Sequence, residues 1–178
     1  MSTEKGYTIL ILLVFVTVLA IGLLVAVPVW QTAIQRDKEE ELIFRGKQYV
    51  EAIRIFQQKH PGTFPKTVEE LVKGRCLRRP FPDPMTKDGK WDIIIQQQGL
   101  SRGESPKKES GTQQIFVVPQ ASLSSIATPR ILGVVSASPK KSIHLYYDND
   151  TYNRWLFYYG QNPNVKPEVI YFGRTKKD

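Results

Sequence analysis

The residue types that act as nucleophiles and bases are sparse in this sequence. It has two histidines, His60 beside Pro61 and His144 between apolar neighbours, and a single cysteine, Cys76. Hydrolysis or group transfer needs a nucleophile, a base and an orienting group within reach of one another. We expect His60 to interact with the end of a helix, His144 to face outward from a strand, and Cys76 to be unreactive. The chain is therefore predicted not to be an enzyme.

Sequence signals for cofactors and nucleic acid are weak as well. The sequence contains no glycine-rich phosphate loop and no pair of Cys or His at metal-ligand spacing, so no cofactor is predicted. The net charge of +8 would suit nucleic acid or anionic lipid headgroups. However, the lysines and arginines are scattered and no nucleic-acid motif accompanies them. We interpret the charge as a solvated basic surface and expect no nucleic-acid partner.

The elements that position these residues begin with an apolar run. Residues 7–30 contain no charged side chain, and as a helix these 24 residues would span about 36 Å, against about 30 Å for the hydrocarbon core of a bilayer. A buried globular helix would need a polar face, and a cleaved secretory signal has a shorter apolar stretch followed by small residues. We therefore predict a transmembrane helix. Lys5 before it and Trp30 at its end favour a cytoplasmic N-terminus and a domain outside the cytoplasm.

The junction before the apolar run, EKG followed by YTILILL, resembles the processing site of type IV pilins and of type II secretion pseudopilins. This resemblance implies that a prepilin peptidase cuts after Gly6 and that Tyr7 becomes the methylated N-terminus. Pro28 also resembles the family, and a proline there is expected to loosen the helix around residues 24–28. Ile11 departs from the family, because most members have a glutamate at this fifth mature position. That departure favours a minor or tip subunit, or one that stays in the membrane.

Two further segments extend the resemblance. FPKTVEELVKG predicts a short helix that Thr67 caps and Gly74 ends. RCLRRPFPDPMTKDGKWDIII predicts a proline-rich loop, a turn at the DG pair and a strand from Trp91. In this order, the segments resemble the globular part of the major pseudopilin of type II secretion. The resemblance covers roughly residues 6–95.

The predicted fold is α+β, with a long N-terminal transmembrane and amphipathic helix packed on a small antiparallel β-sheet, as in pilins. The expected parts are a leader over 1–6, a transmembrane helix over 7–30, an amphipathic helix over 31–60, and a periplasmic globular domain over 61–178 with a mobile loop at 96–114.

Local patterns predict how the domain packs. The second half of the helix presents an apolar stripe whose missing place is filled by Gly46, which either admits a close neighbour or is a tolerated weakness; the stripe consists of Leu42, Tyr49, Ile53 and Phe56. The charged segment RDKEEE before the stripe is expected to be a solvated neck. Two apolar runs in SIHLYYDNDTYNRWLFYY predict an antiparallel hairpin, and residues 169–172 predict an edge strand.

The polar residues between those two runs have two interpretations. Asp148, Asn149 and Asp150 offer oxygen ligands of the kind that calcium binds, and major pseudopilins bind calcium in a late loop. The full loop pattern of the family is absent here, and the same residues suit a hairpin turn. Calcium is therefore the weaker interpretation. The aromatic residues around the turn are expected to pack in the core rather than to stack on sugars or bases.

The resemblance implies a structural role rather than a catalytic one. It implies a subunit of a type II secretion pseudopilus that assembles through its N-terminal helix to support protein export, with a single pass through the inner membrane and the domain in the periplasm. The implied partners are other pilin-like subunits, the prepilin peptidase, an inner-membrane assembly platform with a cytoplasmic ATPase, and membrane lipid before assembly. Two alternatives stay open: a minor pilin of a type IV pilus or DNA-uptake filament, and a membrane-anchored binding domain that never polymerises, which Ile11 favours.

Overall fold

The structure is a computed structural model that describes residues 4–96, 114–126, 128–162 and 167–172. The chain divides into two compact units, an N-terminal unit over Met1–Asp37 and a folded domain over Lys38–Asp178. One helix, α1 (Glu4–Lys59), contributes residues to both units.

The N-terminal unit consists of the apolar part of α1. Its described large apolar side chains are between 50 % and 77 % exposed, and the helix is long and apolar enough to cross a membrane. The helix is continuous past Pro28, so the proline does not end it. The predicted loosening at residues 24–28 stays a prediction.

The second part of α1 packs into the domain as its sequence pattern predicts. Leu42, Tyr49, Ile53 and Phe56 are all buried in the main core. Gly46 belongs to the same stripe, and a Cβ added there would overlap the ring of Phe157. The glycine therefore permits a close approach of the sheet to the helix, which decides between the two interpretations of this residue.

A short helix, α2 (Val68–Lys73), follows α1 and is capped as predicted. The Thr67 side chain accepts a hydrogen bond from the Glu70 N–H at 3.3 Å, and the Glu70 carboxylate accepts one from the Lys66 N–H at 2.7 Å. Gly74 ends the helix with an ordinary φ of -73°, and the left-handed residue is the next one, Arg75, with a φ of 53°.

The main sheet has five strands in the order β6-β3-β1-β2-β7. Its strands are β1 (Trp91–Gln96), β2 (Gln114–Pro119), β3 (Ile131–Ser136), β6 (Leu156–Tyr158) and β7 (Glu168–Tyr171), and a separate pair is formed by β4 (Lys141–Tyr146) and β5 (Asn149–Thr151). Gln96 and Gln114 are strand residues, whereas the rest of the predicted mobile loop, 97–113, lies outside the described residues.

The α+β class is confirmed, but the sheet is mixed rather than antiparallel. The pairs β1–β2, β1–β3 and β3–β6 are antiparallel, while β7 pairs with β2 in parallel. Parallel neighbours need a long crossover connection, and the stretch from Pro119 to Glu168 is long enough because it contains all the strands in between. A pattern of alternating residues does not report strand direction, so the parallel pairing of β7 could not be predicted from it.

The predicted hairpin is correct in its first half only. Strand β4 turns directly into β5 through Tyr147 and Asp148, whose positive φ angles of 48° and 60° suit a two-residue hairpin turn. The second apolar run does not pair with β4. It forms β6, which joins the main sheet beside β3. The early left-handed turn is the physical reason, because it closes the hairpin before the second run begins.

Candidate functional site

The predicted processing junction lies within α1, which includes Gly6 and Tyr7. The Tyr7 side chain is 67 % exposed. Ile11, at the position where the family has a glutamate, is also exposed and presents only apolar surface. Thr17 satisfies its hydroxyl inside the helix by donating to the Leu13 carbonyl at 2.8 Å. The side chains described here are therefore compatible with an apolar solvent such as lipid or neighbouring helices.

A buried acidic residue, Glu39, is the most unusual feature of the domain. It is fully buried although it belongs to the segment predicted to be a solvated neck. Oxygen Oε1 accepts hydrogen bonds from the Ile143 N–H and the Tyr152 hydroxyl, both at 2.7 Å. Oxygen Oε2 accepts from the His144 N–H at 3.0 Å and lies 2.7 Å from His144 Nδ1. One carboxylate thus connects α1 to β4 and to the turn that contains Tyr152.

The surroundings of Glu39 favour its charged form. Burial alone would raise the pKa of this carboxyl, but the hydrogen bonds from Tyr152, Ile143 and His144 outweigh it and hold the pKa below its ordinary value. A buried carboxylate is tolerated when its lone pairs are satisfied in this way. Glu39 is therefore an ionised anchor at neutral pH.

Sequence reasoning missed this anchor and misplaced its partner. His144 was expected to face outward from a strand; its side chain is 52 % exposed, yet its ring is bound to Glu39. The signal for Glu39 was its position on the stripe of Leu42 and Gly46, three and seven residues before them. That position predicts an inward side chain, which the surrounding charged residues obscured.

The pair of Glu39 and His144 has the arrangement of an acid that orients a base. In the part of the chain that the structure describes, however, the ring of His144 has no hydrogen bond to a hydroxyl or thiol. His60 packs against the Phe56 ring at 5.0 Å, and Cys76 is half-buried with its sulfur 3.5 Å from the Gly74 carbonyl. The pair serves to position β4 on α1.

A second buried carboxylate, Asp83, lies in the proline-rich loop. It accepts hydrogen bonds from the Ser136 hydroxyl at 2.7 Å and from the Met85 N–H at 2.8 Å. Burial raises the pKa of Asp83, and these hydrogen bonds only partly oppose the effect. Asp83 therefore fastens the loop to β3 at some electrostatic cost.

Three further side chains fasten the same loop, Tyr49 and Arg45 to α1 and Trp91 to β1. Tyr49 exchanges hydrogen bonds with the backbone of Phe81, at 2.9 Å to its carbonyl and 3.0 Å from its N–H. Trp91 donates its indole N–H to the Phe81 carbonyl at 2.7 Å, and Arg45 donates to the Pro82 carbonyl at 2.6 Å. The second part of α1 is thus bonded both to this loop and to β4.

The residues weighed as calcium ligands serve the β4–β5 turn. The Asn149 side chain donates to the Tyr147 carbonyl at 3.0 Å, and Asp150 lies 3.8 Å from Lys141. Asp148 has the left-handed backbone of the turn. Within the described ranges, no group of three or more His, Cys, Asp or Glu side chains could hold a metal ion. Asp148 therefore belongs to the hairpin turn and Asn149 and Asp150 begin β5, while calcium binding stays a prediction.

An open cleft of about 570 Å³ borders this turn. It is lined by Tyr147, Arg154, Leu156, Val169 and Tyr171, together with neighbouring polar residues. The Tyr171 hydroxyl is already engaged with the Asn153 carbonyl at 2.9 Å. The other aromatic residues near the turn are mostly core, as predicted, with Tyr152, Trp155 and Tyr158 buried.

Comparison of the chain with family models, curated proteins and solved structures finds no match. The fold and these contacts are therefore the basis for a functional proposal.

Proposed function

We propose that the chain is a pilin-like subunit of a type II secretion pseudopilus, which assembles through its N-terminal helix to support protein export. One observation carries the proposal: the described apolar side chains of α1 after the Gly6–Tyr7 junction are exposed around the helix, while the same helix ends as a core element of a folded domain. A helix that is apolar all round must be covered by lipid or by other helices.

The proposed assembly exchanges one apolar environment for another. Before assembly, lipid surrounds residues 7–30, the N-terminus is cytoplasmic and the domain is periplasmic in a single-pass inner-membrane protein. In the filament, the equivalent helices of neighbouring subunits replace the lipid. Because lipid is as apolar as these side chains, close packing between helices rather than the hydrophobic effect would favour the bundle.

The domain gives the assembly machinery a rigid body to act on. Glu39, Tyr49 and Arg45 bond the second part of α1 to β4 and to the proline-rich loop. Force applied to the domain is therefore transmitted to the helix. The energy would come from a cytoplasmic ATPase acting through an inner-membrane platform, as the family resemblance implies.

Maturation at Gly6 is the first test. We expect mass spectrometry of the protein from its native host to show a methylated N-terminus at Tyr7, and a Gly6→Val variant to retain Met1, because a bulky side chain would obstruct the peptidase. Gly22→Ala, which has nothing within 4 Å of the added Cβ, is the matched control and should be processed normally. A native chain that keeps Met1 would remove this mechanism.

A non-polymerising, membrane-anchored binding domain is the second candidate, and Ile11 is the observation that favours it. The two candidates differ in how the helices are surrounded in the host membrane. Single cysteines placed along residues 7–30 in a Cys76→Ala background should cross-link into ladders if subunits assemble. Monomers alone, with the cognate machinery present, would favour the second candidate.

A further inference from the structure

The hairpin formed by β4 and β5 carries an apolar surface that the folded domain leaves exposed. Ile143 and Leu145 lie two positions apart on β4 and share one face of the strand, and Tyr147 follows in the turn. Their exposed fractions are 38 %, 70 % and 43 %. Leu145 is the most exposed large apolar residue among the described residues of the domain. We call these three residues the hairpin surface.

The hairpin surface is held in place rather than loosely attached. The N–H groups of Ile143 and His144 are both bound by the buried Glu39 carboxylate. The Tyr146 ring on the opposite face of β4 packs on Trp155 and Phe157 at 5.5 and 5.1 Å. Ile143 and Leu145 are therefore presented outward by a fixed element, and the partly exposed Tyr147 ring beside them packs edge-to-face on the Tyr146 ring at 4.6 Å.

We propose that the hairpin surface docks on the lipid bilayer, with Leu145 and Tyr147 entering the interface between lipid and water. The position of Glu39, which holds β4, supports the bilayer as the partner, because Glu39 follows Trp30 by only nine residues. Chain length alone keeps Glu39 within about 30 Å of the end of the predicted span. The inference rests on the membrane-anchoring part of the proposed function and not on filament assembly.

The chemistry of the hairpin also fits a lipid interface. Tyrosine is enriched at the boundary between lipid and water, where its ring lies in the apolar region and its hydroxyl in the polar one. The charges of the hairpin balance, since Lys140 and Lys141 are matched by Asp148 and Asp150. The contact should therefore depend on apolar insertion and not on anionic headgroups.

A second copy of the chain is a less suitable occupant. A stable interface between proteins uses about 20–30 residues on each side, whereas the hairpin surface has three. Three apolar side chains are nevertheless sufficient to favour contact between the hairpin and the bilayer, because the membrane-spanning helix tethers the domain there at a high effective concentration.

The test uses the full chain, with one copy in each phosphatidylcholine nanodisc. In a Cys76→Ala background, a nitroxide is attached at Tyr147→Cys, and a reference nitroxide at Lys87→Cys in the exposed proline-rich loop. Collision rates with oxygen and with a water-soluble nickel chelate report depth. We expect the ratio of oxygen to nickel collisions to be several-fold higher at position 147, and unchanged when part of the lipid is replaced by phosphatidylglycerol.

Variants at exposed positions separate insertion from loss of fold. Leu145→Asp should lower the collision ratio at position 147 to the reference value, while Ala121→Asp, which adds the same charge outside the hairpin, should leave it unchanged. Equal ratios at positions 147 and 87 in the parent would overturn the inference. A higher collision ratio at position 147 that appears only with phosphatidylglycerol would also overturn it. So would a higher ratio that appears only in vesicles with many copies, because a second copy would then cover the surface. Single-copy discs contain no filament, so failure of assembly cannot produce any of these results.

Discussion

Glu39 and Asp83 are both buried carboxylates, yet their surroundings act on them in opposite directions. Glu39 accepts four hydrogen bonds, which hold its pKa below the ordinary value in spite of burial. Asp83 also receives hydrogen bonds, from Ser136, Met85, Ala137 and Thr86, but the cost of burial outweighs them and raises its pKa. The first residue stabilises the domain in its charged form, and the second does so in its neutral form.

Replacing Glu39 with glutamine should destabilise the domain by about 1–3 kcal/mol, because the amide group turns donors toward the donors on β4 and leaves them unsatisfied. The free energy of unfolding can be measured in detergent with urea, following the fluorescence of the buried Trp91 and Trp155. Glu40→Gln is the matched control, and as an exposed neighbour it should cost less than about 0.5 kcal/mol. Equal effects from the two variants would contradict the role of Glu39 as an anchor.

The free energy of unfolding should depend on pH through both Glu39 and Asp83. Because the folded pKa of Glu39 is lowered, its stabilisation is complete above the ordinary glutamate pKa and is lost as pH falls through the folded pKa. Because the folded pKa of Asp83 is raised, stability declines as pH rises from the ordinary aspartate pKa through the folded one.

Asp83→Asn should remove the decline in stability that the raised pKa of Asp83 produces. At neutral pH it should cost at most about 1–3 kcal/mol, because the amide oxygen can still accept from the Met85 N–H while the acceptor for the Ser136 hydroxyl is lost. Urea titrations across the acidic range provide the measurement. A loss of several kcal/mol at neutral pH would show that the charged form of Asp83 is needed.

At the scale of elements, sequence patterns predicted those parts whose partners are local. The stripe of α1, the cap at Thr67 and the strand from Trp91 depend on neighbours within a few residues, and all three are present. The parallel pairing of β7 and the placement of β6 depend on residues far away in the chain. The partners of Glu39 are also distant, with His144 separated from it by 105 positions, so no local pattern specifies them.

Gly46→Ala tests the contact between α1 and the sheet. Alanine is the better helix former, yet its Cβ would overlap the Phe157 ring, so we expect a net loss of about 1–3 kcal/mol. Urea unfolding of the full chain measures the effect. A gain in stability would mean that the ring moves aside without cost, and that helix propensity alone decides the outcome.

At the scale of the whole molecule, the proposed filament depends on a helix without the family's glutamate. In the family that the chain resembles, this glutamate is thought to pair with the N-terminus of a neighbouring subunit. If Ile11→Glu creates that pair, the assembled fraction should rise several-fold, because an unpaired carboxylate in lipid costs about 2.5–3.5 kcal/mol. Cross-linked ladders in the host membrane measure it. Ile11→Gln is the neutral control of equal length, and an equal rise with glutamine would exclude charge pairing.

The separation between Glu39 and its partners also bears on biogenesis. During synthesis, α1 emerges long before β4, so the Glu39 side chain lacks the donors Ile143 and Tyr152 until most of the polypeptide has been made. A nascent chain that stops short of Ile143 keeps that carboxylate in water and cannot close its core around it. Closure of the core is thereby coupled to completion of synthesis, and a truncated product would stay open to proteases.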